Sequence, residues 1–372
     1  MKLIHLADLH IGKRLNEFSL IDDQKYILRE ILSIIDEEEP EGVIIAGDVY
    51  DKTMPSDEAT RLLDSFLTSL ANRGLQVYMI AGNHDSAARL SFGASLIEAS
   101  GVHIAPEYKG EIMKYSLGCA DIHLLPFVKP VNVRQHFPDA EIVDYTDAVR
   151  TALGAADIDE SRVNILVAHQ FVAGASRSDS EEVSVGGLDN VEADVFNGFD
   201  YVALGHIHRP QKIVKDTIRY AGTPLKYSFS EAGHHKSVTV IEINSKDDIN
   251  IYERDLTPWR DLRIIRGSYE ELMDKSYYEG TNTEDYIEAV LTDEEDIPNA
   301  LAKMRVIYPN IMHLRYDNRR TSENRELEPI ENVENRSPLE IFEEFYEAQN
   351  NQPMSRQQRE LVNSLIENIW EG

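Results

Sequence analysis

Seven side chains in this sequence carry oxygen or nitrogen donors in a pattern that one centre could collect: Asp8, His10, Asp48, Asn83, His169, His206 and His208. None of them is a sulfur ligand. They come in short punctuated groups: Asp8-Leu9-His10, Gly47-Asp48, Gly82-Asn83-His84-Asp85, Ala168-His169 and Gly205-His206-Ile207-His208. Seven donors exceed what a single tetrahedral ion takes. If one carboxylate bridges, the set supplies four contacts to each of two ions. Two ions about 3.5–4 Å apart suit an in-line displacement at phosphorus. Mixed carboxylate, amide and imidazole ligation favours manganese, iron or zinc over calcium and leaves the choice among them open. From average residue usage, Gly-Asn-His-Asp arises by chance in roughly one chain in a thousand of this length. The Gly-Asp and Gly-His-x-His groups then make coincidence untenable. An isolated histidine is usually a satisfied core or surface residue, and His5, His103, His123, His136 and His313 are read that way.

Each group directly follows a short apolar run: residues 2–7 (KLIHLA), 42–46 (GVIIA), 76–81 (QVYMIA), 164–168 (NILVA) and 201–204 (YVAL). Runs of this length, bounded by glycine or polar residues, predict buried strands. Apolar residues at helical spacing over 22–38 and 57–73 predict helices between them, and a further helix is expected over 86–99. Strand-helix alternation implies an α/β architecture. In open α/β sheets ligands bind beyond the carboxyl ends of the strands, which is where all five groups fall. From 212 to 253 the pattern turns all-β, and TIRYAG, SVTVIEI and INIYERDL predict a meander extending a sheet.

A boundary near Pro258 ends a first domain of residues 1–257. Residues 258–317 predict a small β-α-β-α-β module. Residues 318–336 are polar, acidic and nearly free of apolar side chains, so they read as a linker. Residues 337–372 hold two helix starts. Ser337-Pro338-Leu339-Glu340 and Ser355-Arg356-Gln357-Gln358 both have the form of a capping box. The helices behind them carry apolar stripes: Ile341, Phe342, Phe345 and Tyr346, then Leu361, Leu365, Ile366, Ile369 and Trp370.

Composition narrows the function. Lys plus Arg number 37 against 66 Asp plus Glu, a formal net charge of −29 over 372 residues. A protein that coats DNA carries the opposite balance, so nucleic-acid contact would need a local patch, metal ions or a partner. Residues 209–236 hold six basic side chains against two acids. Arg209, Lys212, Lys226 and Lys236 are the candidates there for phosphate contact. The lone Cys119 excludes an intrachain disulfide and a thiolate zinc site. No apolar run reaches the length of a membrane span, and MKLIHLADLH is no signal-peptide start. The expected location is the cytoplasm. No G-x-x-x-x-G-K-[ST] loop occurs, so any ATP dependence must come from a partner.

The five motifs resemble those of the calcineurin-like metallophosphoesterases. Residues 220–231 (YAGTPLKYSFSE), Lys236-Ser237-Val238, Phe171-Val172-Ala173-Gly174 and Val185-Gly186-Gly187 narrow the resemblance. They are similar to the bacterial exonuclease subunits that work with an SMC-like ATPase in double-strand-break repair. The resemblance covers about residues 1–255, with the cap and tail matching in order and length. It implies a β-sandwich flanked by helices, with a small α+β cap domain and a C-terminal helical tail. It implies two divalent ions, manganese foremost. Asp8, His10, Asp48 and His208 would hold the first; Asp48, Asn83, His169 and His206 would hold the second, with Asp48 bridging. Attack would come from a metal-bridging hydroxide. His84 would stand beside the scissile phosphate, stabilising charge or protonating the leaving oxygen, and Asp85 would orient His84 or cap the next helix.

The same resemblance implies 3′-to-5′ exonuclease action on double strands and endonuclease action on single strands and hairpins. The tail helices would dock on the coiled-coil base of the ATPase subunit. The catalytic subunits would pair through residues 57–73 and 86–99, using Leu62, Leu63, Phe66, Leu67, Leu70, Leu90, Phe92 and Leu96. One rival is a phosphoesterase acting on small phosphodiesters or phosphoproteins. The other is a scaffold that has lost its chemistry, which the complete donor set and His84 argue against.

Overall fold

A computed structural model describes residues 1–181, 189–318, 338–350 and 352–370. The chain divides into two compact units, Met1–Asp261 and Leu262–Gly372. Among the described residues no helix is long and apolar enough to cross a membrane.

The first unit is built on twelve main strands. They are β1 (Lys2–Leu6), β2 (Gly42–Ala46), β3 (Gln76–Ile80), β4 (Val102–Ala105), β5 (Met113–Leu117) and β6 (Ala120–Leu125). Then come β7 (Val163–His169), β8 (Tyr201–Gly205), β9 (Gln211–Ile213), β10 (Lys215–Tyr220), β11 (Ser237–Ser245) and β12 (Asp248–Asp255). One six-stranded sheet has the order β12-β11-β1-β2-β3-β4 and the other β9-β10-β8-β7-β6-β5. β1 to β4 run parallel, as do β6, β7, β8 and β10. Between the sheets lies one apolar layer, with Leu3, Ile44, Tyr78 and Ile80 on one side and Ile122, Ile165, Val167 and Ala203 on the other. Every residue of β2 is buried, as expected for a parallel strand covered on both faces. This is the two-sheet sandwich flanked by helices that the resemblance implies.

Helices α1 (Ile21–Glu38) and α2 (Asp57–Ala71) pack against each other, and α2 lies on β3. Their buried stripes are Ile27, Leu28, Ile31, Ile34 and Ile35, then Ala59, Leu63, Phe66 and Leu70. Ser56 caps α2 by accepting from the Ala59 N–H at 3.2 Å, and Asp57 and Glu58 sit on the positive end of its dipole. Helix α3 (Tyr145–Gly154), capped by Asp144, buries Val149, Ala152 and Leu153 with Leu166, Val202 and Leu204 of the second sheet.

Three sequence expectations differ from the structure. The all-β stretch is no meander. β9 and β10 close the edge of the second sheet, whereas β11 and β12 add to the first beside β1. Apolar alternation marks a strand but not which sheet it joins; residues 221–236 carry the chain across. The helix over 86–99 is broken into Ala87–Leu90, Ala94–Ile97 and a 3₁₀ turn, because Gly93 takes φ +75°. Strands β4 to β6 escaped the sequence reading. Their apolar runs are interrupted by His103, Asp121 and His123, and His123 is buried against Asn164.

In the second unit β13 (Leu262–Gly267), β14 (Tyr286–Leu291) and β15 (Ile311–Tyr316) form a parallel sheet in that order. Short helices at Tyr269–Met273 and Ala300–Met304 lie between them in sequence, and Leu272, Met304 and Tyr308 complete a small core. The linker expectation falls almost wholly outside the described residues, as does the Ser337 cap. Helices α4 (Pro338–Asn350) and α5 (Arg356–Trp370) are joined by Arg359–Glu343 and Gln358–Tyr346 contacts. The Ser355/Gln358 capping box is formed in both directions.

Candidate metal centre

The seven donors meet where the carboxyl ends of the two sheets face each other. Asp8, His10, Asp48 and Asn83 come from the turns after β1, β2 and β3 of one sheet; His169, His206 and His208 come from the ends of β7 and β8 of the other. Asp8, His10, Asp48, His169, His206 and His208 are all buried.

Asp48 lies at the middle. Its Oδ2 is 3.7 Å from His10 Nε2 and 3.3 Å from His169 Nε2, while its Oδ1 accepts the His84 backbone N–H at 2.9 Å. On one side His10 Nε2 faces His208 Nε2 at 3.1 Å, and Asp8 groups with both rings. On the other side His169 Nε2 and His206 Nδ1 each lie 3.0 Å from Asn83 Oδ1. His169 donates Nδ1–H to the Ala46 carbonyl at 2.8 Å, so its Nε2 is the nitrogen turned into the cluster. Asp8 accepts the His206 backbone N–H at 2.9 Å and so ties the two sheets together.

The local backbone is shaped for this meeting. Asp8, His10, Asp48 and His206 have φ of 52°, 42°, 47° and 102°. Left-handed backbone is uncommon without glycine and concentrates at functional sites. The motif glycines give way to neighbours. A Cβ on Gly47 would overlap His169, one on Gly82 would overlap Asp48, and one on Gly205 would overlap the Ala46 carbonyl.

Charge inside the cluster is strongly perturbed. Burial and the nearby Asp48 raise Asp8 well above the ordinary carboxyl range. Burial would raise Asp48 too, but His169, His10 and His84 hold it well below. Burial would lower His169, yet Asp48 and Asp8 raise it to about 9. Burial, helped by His169, lowers His206 to about 3. Imidazole nitrogens facing one another at 3.1 Å beside buried carboxylates form a donor set that suits cations.

His84 sits at the rim. Its Nε2 is 4.0 Å from Asp48 Oδ2, and its Nδ1 pairs with the Asp51 carbonyl at 3.1 Å. Asp85 was expected to orient His84 or cap a helix, and it does neither through its carboxylate. Oδ1 accepts the Tyr50 N–H at 3.0 Å; Oδ2 accepts Val49 N–H at 3.1 Å and Gly82 N–H at 2.9 Å. Asp85 therefore pins the Asp48 turn to the Asn83 turn, and a backbone carbonyl holds the ring of His84.

A sequence profile described as calcineurin-like phosphoesterase matches residues 1–210, and one described as the type 5 capsule protein repressor C-terminal domain matches residues 258–350. The SbcD subunit of the nuclease SbcCD from Staphylococcus epidermidis is 34% identical over 370 residues, 98% of each chain. The chain belongs to the SbcD family of calcineurin-like phosphoesterases. As an SbcD homologue it is a nuclease-type hydrolase acting on phosphodiester bonds. Among solved structures, a dimetal phosphatase from Danio rerio is similar with TM-score 0.39 and 12% identity, covering 68% of this chain and 96% of that one. The phosphoesterase Yfce from E. coli gives TM-score 0.28 and 12% identity, covering 69% and 100%.

The four candidate phosphate-contacting cations of this SbcD-family chain fall into two groups. Arg209 and Lys212 are exposed, with Lys212 paired to Asp216 at 2.5 Å. Lys226 Nζ is held by Asp261 and by the Ala232 carbonyl. Lys236 is buried, and its ammonium donates to the His208 carbonyl, Thr223 Oγ1 and Glu231 Oε2. Its charge is spent inside the fold, because those three bonds use all three of its N–H groups. Sequence reasoning missed Ser180, Glu181, Glu231 and Gln24. Gln24 Nε2 donates to the His10 carbonyl at 2.7 Å. Glu231 was within reach, since it closes the YAGTPLKYSFSE segment that carried the family resemblance.

Proposed function

We propose that this chain is a two-metal DNA nuclease using manganese, with Asp8, His10, Asp48 and His208 holding one ion and Asp48, Asn83, His169 and His206 the other. The observation that carries this reading is the Asp48 carboxylate between two sets of ring nitrogens, 3.7 Å from His10 and 3.3 Å from His169. Bound there, two divalent ions would polarise phosphoryl oxygens and acidify an attacking water. The chain's own residues do the rest. Asp85 fixes the spacing of the Asp48 and Asn83 turns. The Asp51 carbonyl takes the Nδ1 proton of His84 and so holds the ring; with a second proton on Nε2, the ring would stabilise charge on the phosphate or hand that proton to the leaving oxygen. Buried walls exclude bulk water and strengthen each of these interactions.

The substrates are DNA ends and hairpins, cut 3′ to 5′ on double strands and internally on single strands. Arg209 and Lys212 are the exposed cations placed to meet the backbone. The partner is the SMC-like ATPase SbcC, met through α4 and α5, whose Phe342, Phe345, Leu361 and Leu365 are 42–62% exposed. Phe92 and Leu96, 90% and 82% exposed, are the residues on the expected pairing surface open to a second copy. Leu63, Phe66, Leu70 and Leu90 are buried and serve the chain's own core. We assign residues 1–257 to the nuclease domain, 258–317 to the cap, 318–336 to the linker and 337–372 to partner binding, all in the cytoplasm.

The test is cleavage of end-labelled linear and hairpin DNA by the purified chain with manganese, beside a small phosphodiester. Metal-dependent DNA cleavage is expected. Replacing His84 by serine should lower turnover by about 10²–10⁴ and leave manganese stoichiometry intact. Turnover of the small ester with DNA untouched, with and without SbcC, would refute the nuclease reading.

A further inference from the structure

His208 is gripped from four sides by residues outside the donor set. Its backbone N–H donates to Glu181 Oε1 at 2.8 Å. Its carbonyl accepts from Lys236 Nζ at 2.8 Å and from the Thr223 N–H at 3.1 Å. Its ring Nδ1 lies 2.6 Å from Ser180 Oγ, and that hydroxyl lies 2.5 Å from Glu231 Oε1. Glu231 is fully buried, and its other oxygen receives Lys236 Nζ at 2.6 Å.

Counting protons fixes the direction of this chain. Lys236 has only protons to give. Glu231, paired with that ammonium, has only lone pairs to offer. Ser180 owns one proton; of its two acceptors, Ser178 Oγ at 2.9 Å and the Glu231 carboxylate at 2.5 Å, the nearer and charged one takes it. The hydroxyl can then only accept from His208, so the imidazole carries its proton on Nδ1 and is bare at Nε2. The bare nitrogen is the one that faces His10 Nε2 at 3.1 Å. A buried ion pair contributes little to stability compared with an apolar pair of the same volume. Its presence behind one ring asks for a role beyond holding the fold.

We propose that Ser180, Glu231 and Lys236 form a positioning relay that fixes the His208 tautomer and so sets the affinity of the ion held with Asp8 and His10. The relay rests on the reading of His208 as a ligand, and the experiment separates the two. Binding of manganese alone to the full chain is followed by calorimetry and by electron paramagnetic resonance. The variants are His208→Ala, Ser180→Ala, Ser180→Thr and the pair Glu231→Gln with Lys236→Met.

His208→Ala should abolish binding of one ion. Ser180→Ala should weaken that same ion by about 10–100-fold, the usual effect of losing a partner behind a metal-bound histidine. The second ion should be unaffected, and Ser180→Thr should restore the first. A general loosening of the fold would weaken both ions, which counts against the relay. If His208→Ala keeps both ions, the ligand reading itself falls. If His208→Ala loses one ion while Ser180→Ala and the double variant bind both like the parent, the relay alone is overturned. Should the double variant fail to fold, Ser180→Ala carries the test.

Discussion

Lowering the pH from 7 to 5 should cost the nuclease domain about 2 kcal/mol through one histidine that touches no proposed ligand. His5 lies in the interior of β1 with no exposed surface, and its Nδ1 meets the Tyr201 hydroxyl at 3.0 Å. Among the described residues its Nε2 has no partner of good hydrogen-bond geometry. Burial lowers the ring from 6.5 to about 3, opposed by the Leu204 backbone and reinforced by the charge of Arg219. The folded value is thus below the unfolded one. The stability this ring contributes is complete above pH 6.5 and is lost as the pH falls toward 3, because the unfolded chain binds the proton more readily. Integrating between those values leaves about 2 kcal/mol lost by pH 5 and about 4 kcal/mol by pH 3. Other buried histidines add to the slope, so the measurement is a difference. Urea unfolding of the metal-free chain at both pH values is compared with that of His5→Gln, which keeps a partner for Tyr201. The variant should lose about 2 kcal/mol less than the parent across the interval. Equal losses in the two proteins would falsify the assignment of a neutral, buried His5.

Three other outcomes are expected. Gly205→Ala places a Cβ against the Ala46 carbonyl, which also receives the His169 proton. With backbone on both sides the clash cannot relax, so a loss of about 3 kcal/mol and of the His169-side ion should appear together in unfolding and manganese titrations. Arg209→Ala and Lys212→Ala should each reduce the salt slope of DNA binding by about 1, measured by fluorescence anisotropy over a salt series, whereas Lys236→Met should leave that slope unchanged. Asp85→Asn replaces one of two acceptor oxygens by a donor, so one of the Val49, Tyr50 and Gly82 N–H groups loses its acceptor. Manganese affinity should then fall by about tenfold or more in titrations.

The candidate donor set was legible because its groups each follow a short apolar run, and Asp48, Asn83 and His206 come directly after a glycine. Both features are local, and the glycines are needed where a neighbouring side chain or carbonyl leaves no room for a Cβ. The five parallel strands were legible for the same reason. Asp85 was misjudged because its partners are backbone N–H groups, two of them over 30 positions away, and backbone donors leave no mark on residue types. Lys236 looked like a surface cation because a strand start carries no sign of what lies beneath it. Its partner Glu231 is five positions away and buried only because the chain crosses between sheets there. Ser180 lies 28 positions before His208 and belongs to no motif.

The seven donors are shared between two sheets, four from one and three from the other. Ions bound there would rivet the sandwich at one edge, a cross-link that a chain with a single cysteine cannot make covalently. Pulling the sheets apart by that edge would then load coordination bonds in parallel and not one after another. Chelation would turn a stiff seam into a hinge, and the rupture force in a single-molecule pull would report metal occupancy directly.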